Sequence, residues 1–174
     1  GLDHVIANDF AALFIADYAE GFAMRWRPHP SLTEGDARRY AQGIRDLGYT
    51  FGAYADFTDY FPLNEFWDES KVSLTPGGDL ADAWYGNFAT KPVEMPGLVR
   101  AVGARCRDLY QPGCVYLDVH TNLGPVARDY EAGAAGAGIG RFTLLGNGDA
   151  IVEARNWYGS TMSEGIYRWL YAGL

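Results

Sequence analysis

Four short apolar runs limit how this chain can fold: Ala12 to Ala16, Tyr49 to Ala55, Cys114 to Val119 and Ser160 to Ser163. None alternates cleanly between apolar and polar residues, so each suits a strand covered on both faces, as in a parallel sheet. Helix signals lie between them. Thr33 precedes Glu34 and Asp36, a capping oxygen and negative charge at a helix start, and Ala37 to Leu47 then runs to Gly48, a C-terminal stop. Pro96 opens a second helix that reaches Leu109 and is closed by Pro112-Gly113. A third, weaker helix covers Ile139 to Tyr158, where Gly146-Asn147-Gly148 argues against continuity. Strand and helix alternating at this spacing predict right-handed βαβ units.

A chain of 174 residues, 48% hydrophobic, supports one domain over 1–174 with a real core. Its formal charge of −8 leaves no basic stripe for nucleic acid. No apolar run approaches the roughly 18 residues that span a bilayer. Cys106 and Cys114 read as small buried hydrophobes; they form no Cys-x-x-Cys metal or redox motif and settle no compartment. There is no initiating methionine, and the chain stops inside the aromatic run Ile166 to Leu174. Both ends therefore read as cut, and the expectation is a piece of a longer parent.

A doubly wound fold needs a glycine-rich phosphate turn directly after a strand. Gly133 to Gly140 follows none and reads as a flexible loop. The expected fold is instead α/β, a partial (β/α)₈ TIM barrel, about its strands 2 to 5. The long segments Tyr18 to Leu32 and Phe57 to Lys91 follow strands, and loops in that place build a barrel's active-site face.

Acids fall at the strand ends. The first run leads into Asp17, the second into Asp56 with Asp59 beyond, the third into Asp118 and the fourth into Glu164. Clustered carboxylates in an aromatic cleft suit glycoside hydrolysis, where one carboxylate attacks the anomeric carbon and a protonated carboxyl serves the leaving oxygen. Trp26, Tyr60, Phe61, Trp67, Trp84 and Tyr85 could pack on sugar C–H faces, or simply fill the loops. His120 could bond a sugar hydroxyl or tune Asp118, or be satisfied by loop backbone.

The segment Tyr116-Leu117-Asp118-Val119-His120-Thr121-Asn122, followed by Met162-Ser163-Glu164-Gly165, resembles uncharacterised bacterial barrel proteins related to endo-α-N-acetylgalactosaminidases. More distantly it resembles the α-amylase superfamily. The resemblance implies a glycosidase with Asp118 as nucleophile and Glu164 as acid/base; adjacent strand ends about 4.8 Å apart suit the retaining route, and no cofactor or metal is expected. Asp17, Asp56, Asp59, His120, Asn122, Trp67, Trp84 and Tyr85 are the expected contacts to a carbohydrate substrate. The chain departs from the α-amylase pattern at Tyr116, where that family has arginine, and the stabilising aspartate of the seventh strand lies outside it. The remainder of the parent barrel is then the required partner.

Two other readings stay open. A metal-dependent hydrolase could draw ligands from Asp17, Asp56, Asp118, His120 and Glu164, although no His-x-His or His-Glu-x-x-His motif is present. A non-catalytic barrel could use the same acids only to bind sugar hydroxyls.

Overall fold

The computed structural model describes residues 5–8, 24 and 26–165. Strands β1 (Ile6–Asn8) and β2 (Thr50–Ala55) flank helix α1 (Glu34–Asp46) in sequence; β3 (Asp59–Tyr60) and β4 (Phe88–Ala89) follow. Helix α2 (Met95–Tyr110), β5 (Cys114–Leu117), α3 (Gly140–Tyr158) and β6 (Ser160–Ser163) complete the order. The main sheet runs β1-β2-β5-β6 with every pair parallel. Among the described residues it is open, not closed. The predicted run Ala12 to Ala16, with Asp17, lies outside the described residues, and the strand beside β2 is Ile6–Asn8.

Side chains alternate across a strand, so the sheet has two unlike faces. Phe51, Ala53, Ala55, Val115 and Leu117 join Ala37 and Ala41 of α1, Val99, Val102 and Cys106 of α2, and Ala150, Ile151, Ala154 and Tyr158 of α3 in one buried core. The other face carries Tyr54, Tyr116 and Met162, aligned by register across β2, β5 and β6.

Thr33 caps α1 with a full capping box: its hydroxyl accepts from the Asp36 N–H, and the Asp36 carboxylate accepts from the Thr33 N–H. The C-terminal end of α2 is served from α1. Arg38 donates to the Asp108 carbonyl at 2.6 Å, and Arg45 to the Tyr110 carbonyl at 2.5 Å. Cations therefore sit on carbonyls that the helix leaves without partners. Cys106 and Cys114 are buried and form no disulfide.

Four expectations change. α3 is continuous through Gly146, and the glycine there serves close packing, since a Cβ would stand 2.3 Å from the Pro92 carbonyl oxygen. β5 stops at Leu117, since Val119 turns to φ +52. The glycine-rich stretch bonds to an anchored neighbour: the Gly138 N–H donates to the Asp129 carbonyl at 2.7 Å, and the Asp129 carboxylate accepts from the Leu74 N–H at 3.0 Å. Likewise 57–91 is no bare loop, but folds back through the antiparallel β3–β4 pair and short 3₁₀ turns at Glu69–Lys71 and Trp84–Gly86.

The α2–α3 contact depends on Gly103, where a Cβ would lie 2.7 Å from the Trp157 Cβ. Gly103→Val should cost about 1–3 kcal/mol. Gly97→Ala, in open space on the same helix, should cost nothing or stabilise by up to about 1 kcal/mol. Urea denaturation of the two variants checks the contrast.

Candidate active site

The register places three acids in a row. Ala55 pairs with Leu117 and Leu117 with Ser163, so Asp56, Asp118 and Glu164 each stand one residue beyond aligned strand ends. The Asp118 N–H donates to the Ala55 carbonyl at 3.0 Å, carrying the ladder one step past β5. The chain then breaks away at once. Val119 takes a left-handed φ, a rare state for a β-branched residue, and its N–H donates to Asp118 Oδ1 at 3.1 Å.

Each of two tyrosines serves the acid of the next strand. The Tyr54 hydroxyl donates to Asp118 Oδ2 at 2.6 Å, and the Tyr116 hydroxyl to Glu164 Oε2 at 3.3 Å. Their rings stack with centroids 6.1 Å apart. Burial, with the Asp118 hydrogen bond, raises the Tyr54 hydroxyl far above its ordinary range, so it stays a proton donor. Tyr116, the departure from the α-amylase pattern, is thus a hydroxyl touching Glu164. Sequence reasoning gave neither tyrosine a role, although each stands two residues before an acid, on the same face of its strand.

Asp56 and Asp59 form a buried pair bridged by Thr58. Asp56 Oδ1 accepts from the Thr58 N–H and hydroxyl, both at 2.8 Å, and Asp59 Oδ1 lies 3.1 Å from the same hydroxyl. Burial, reinforced by Asp59's charge, pushes the Asp56 carboxyl well above the usual range. Burial also raises Asp59, against the pull of the Arg128 guanidinium. Arg128 comes from the stretch between β5 and α3, and no sequence motif pointed to it. Such a pair favours keeping a proton between its members.

The remaining expected contacts divide. Asn122 is exposed on the turn after Asp118. Trp84 and Tyr85 are exposed neighbours with ring centroids 5.2 Å apart, and the Trp84 N–H donates to Asp59 Oδ2 at 3.3 Å. Trp67 is partly buried and packs on Tyr60 and Phe88 against the core. His120 is fully buried against Phe57, with Nδ1 2.7 Å from the Asp118 carbonyl oxygen. That position holds the imidazole against the turn that follows Asp118. Among the described residues no three His, Cys, Asp or Glu side chains group as metal ligands.

No family model matches the sequence, and no curated protein matches it significantly. Solved structures do. The α-N-acetylgalactosaminidase NagBb from Bifidobacterium bifidum superposes with TM-score 0.78 at 16% identity, covering 98% of this chain and 28% of that one. Its complex with GalNAc gives 0.76 over 99% of this chain and 28% of that one, again at 16% identity. A GH36 α-galactosidase from Geobacillus stearothermophilus in complex with stachyose gives 0.66 at 12% identity, over 98% and 25%. The chain has a glycoside-hydrolase-like fold and spans about a quarter of these proteins' length. No helix of the described residues is long and apolar enough to cross a membrane.

Burial lowers the His120 imidazole to about 4 from 6.5, against the opposing pull of Asp118. An unfolded histidine binds its proton near pH 6.5, so between these values the unfolded state holds more protons. The His120 contribution is therefore complete above pH 6.5 and lost as pH falls toward 4. Asp56 and Asp59, raised by folding, act in the opposite sense, so the difference between proteins isolates the histidine. His120→Gln should flatten the loss of stability between pH 7 and 4 by roughly 3 kcal/mol, read from urea denaturation at each pH.

Proposed function

We propose that this chain carries the catalytic carboxylates of a retaining glycoside hydrolase, and that its sheet is about strands 2 to 5 of a (β/α)₈ barrel. A longer protein would supply the remaining strands. The observation that carries the reading is the alignment of Asp118 and Glu164, one residue past adjacent parallel strands and on the same face. Adjacent strands lie about 4.8 Å apart, which suits the ~5–5.5 Å carboxyl separation of retaining enzymes rather than the ~6.5–9.5 Å of inverting ones.

In the first step an Asp118 carboxylate oxygen bonds the anomeric carbon as the glycosidic C–O bond breaks, and the leaving oxygen takes Glu164's proton. In the second, the Glu164 carboxylate takes a proton from water, the water oxygen bonds the anomeric carbon, and Asp118 leaves as carboxylate. Tyr54 remains bonded to Asp118 Oδ2, so its donor meets the carboxylate that departs in the second step. Asp56, with Asp59, Asn122 and the exposed rings of Trp84 and Tyr85, is read as contacting the sugar; Asp17 joins them by sequence alone. A proton held by Asp56 spares the site a further negative charge beside Asp118.

The resemblance carried by Tyr116 to Asn122 and Met162 to Gly165, with the likeness to an α-N-acetylgalactosaminidase fold, makes an α-linked N-acetylgalactosaminide the first substrate to test. An α-galactoside is the second.

With the full-length protein and an aryl α-N-acetylgalactosaminide, NMR should show a first-formed product of retained anomeric configuration. Asp118→Ala should abolish turnover. Glu164→Ala should lower turnover of poor leaving groups by about 10²–10⁴-fold and largely spare a dinitrophenyl glycoside. Inversion would refute the nucleophile assignment, and full activity in Asp118→Ala would remove the site.

A further inference from the structure

Glu164 stands just outside β6, where the sheet's hydrogen bonds no longer fix it, and its side chain is exposed. Its backbone is held from the turn that follows Asp118. The Thr121 hydroxyl donates to the Glu164 carbonyl. The Thr121 N–H donates to Ser163 Oγ at 3.2 Å, and the Ser163 hydroxyl reaches the Glu164 carbonyl at 3.3 Å. Thr121 Oγ1 and Ser163 Oγ are themselves 3.2 Å apart. Each hydroxyl has one proton and two lone pairs, so this small ring of contacts closes without an unmatched donor.

The next residue makes room for the clasp. Gly165 has φ +131, and a Cβ on it would stand 2.4 Å from the Thr121 carbonyl carbon and 2.5 Å from the Asn122 nitrogen. Only glycine lets the two turns approach this closely. Thr121 is fully buried and lies three residues after Asp118, so one short turn begins at one carboxylate and grips the backbone of the other.

The geometry points to Thr121 as a positioning residue that fixes Glu164 relative to Asp118, a role that rests on the glycosidase reading above. Thr121 touches no reacting atom. It acts on the acid/base through the peptide that carries it, while Tyr116 meets the carboxylate directly. Its loss should therefore weaken proton donation more than nucleophilic attack.

Leaving-group dependence reads that difference. Thr121→Val keeps the shape and removes the donor. In the full-length protein it should lower kcat/KM for a methyl or sugar aglycone by on the order of 10²-fold, while a dinitrophenyl glycoside, which needs little protonation, changes by less than about threefold. Thr121→Ser, which restores the hydroxyl, should recover most of the loss. Gly165→Ala pushes the turns apart with Thr121 intact; it should show the same selective loss, and it carries the test if Thr121→Val does not fold. Equal losses on both substrates, or no loss on either, would overturn the positioning role while wild-type activity keeps the glycosidase reading. Wild-type protein inactive on both substrates would overturn the glycosidase reading, and this inference with it.

Discussion

Parallel pairing of β5 with a strand on each side governs the arrangement of the acids. Strands that run the same way release their chains at the same edge, so whatever residue follows each strand is delivered there. Ala55, Leu117 and Ser163 are register partners, and the next residue in all three cases is an acid. An antiparallel neighbour would have sent one carboxylate to the far end of the sheet. A slip of one residue would have turned it into the helix layer.

Gathering negative charge at one edge has a cost, and the surrounding groups divide it. Tyr54 and Tyr116 give hydroxyl protons to Asp118 and Glu164 from the preceding strands. Asp56 and Asp59 turn instead to Thr58, with Arg128 as the nearby cation, and burial favours keeping a proton between them. The row is therefore unequal along its length. Its buried end tends toward neutrality, and its exposed end, at Glu164, faces solvent.

Much of the fold was legible in the sequence, because local chemistry dictates it. Thr33 with Asp36 announced α1, Pro96 announced the start of α2, and apolar runs marked β2 and β5; β6, with Met162 as its one apolar residue and none of its residues buried, is not the covered strand expected. β1 was not legible: Ile6–Asn8 is only three residues long, too short to carry a period. Gly146 misled because a glycine in a helix reads as a break until the Pro92 carbonyl it faces is known. At the site, the strand-end position of Asp118 and Glu164 was visible in the sequence, whereas their environment was not. Arg128 lies some 70 residues from Thr58, and nothing in the local sequence joins them. His120 sits two residues after an acid, as a ligand or sugar contact might, yet its imidazole folds back on its own turn. That choice is made by packing against Phe57, which no spacing rule reports.

The arginines that cap α2 tie it to a helix far away in the chain. Arg38 and Arg45 reach across 65 to 70 residues to satisfy the last carbonyls of a helix whose own side chains supply only Arg107 to its final turn. Closing so long a segment carries an entropic cost that local helix formation does not. The final turn of α2 thus gains its partners only after α1 has docked beside it. The adjoining Gln111 to Gly113 turn leads straight into β5, so the same docking steadies the approach to the strand that delivers Asp118. The acidic edge is in this sense supported by α1, a helix that contributes no residue to it.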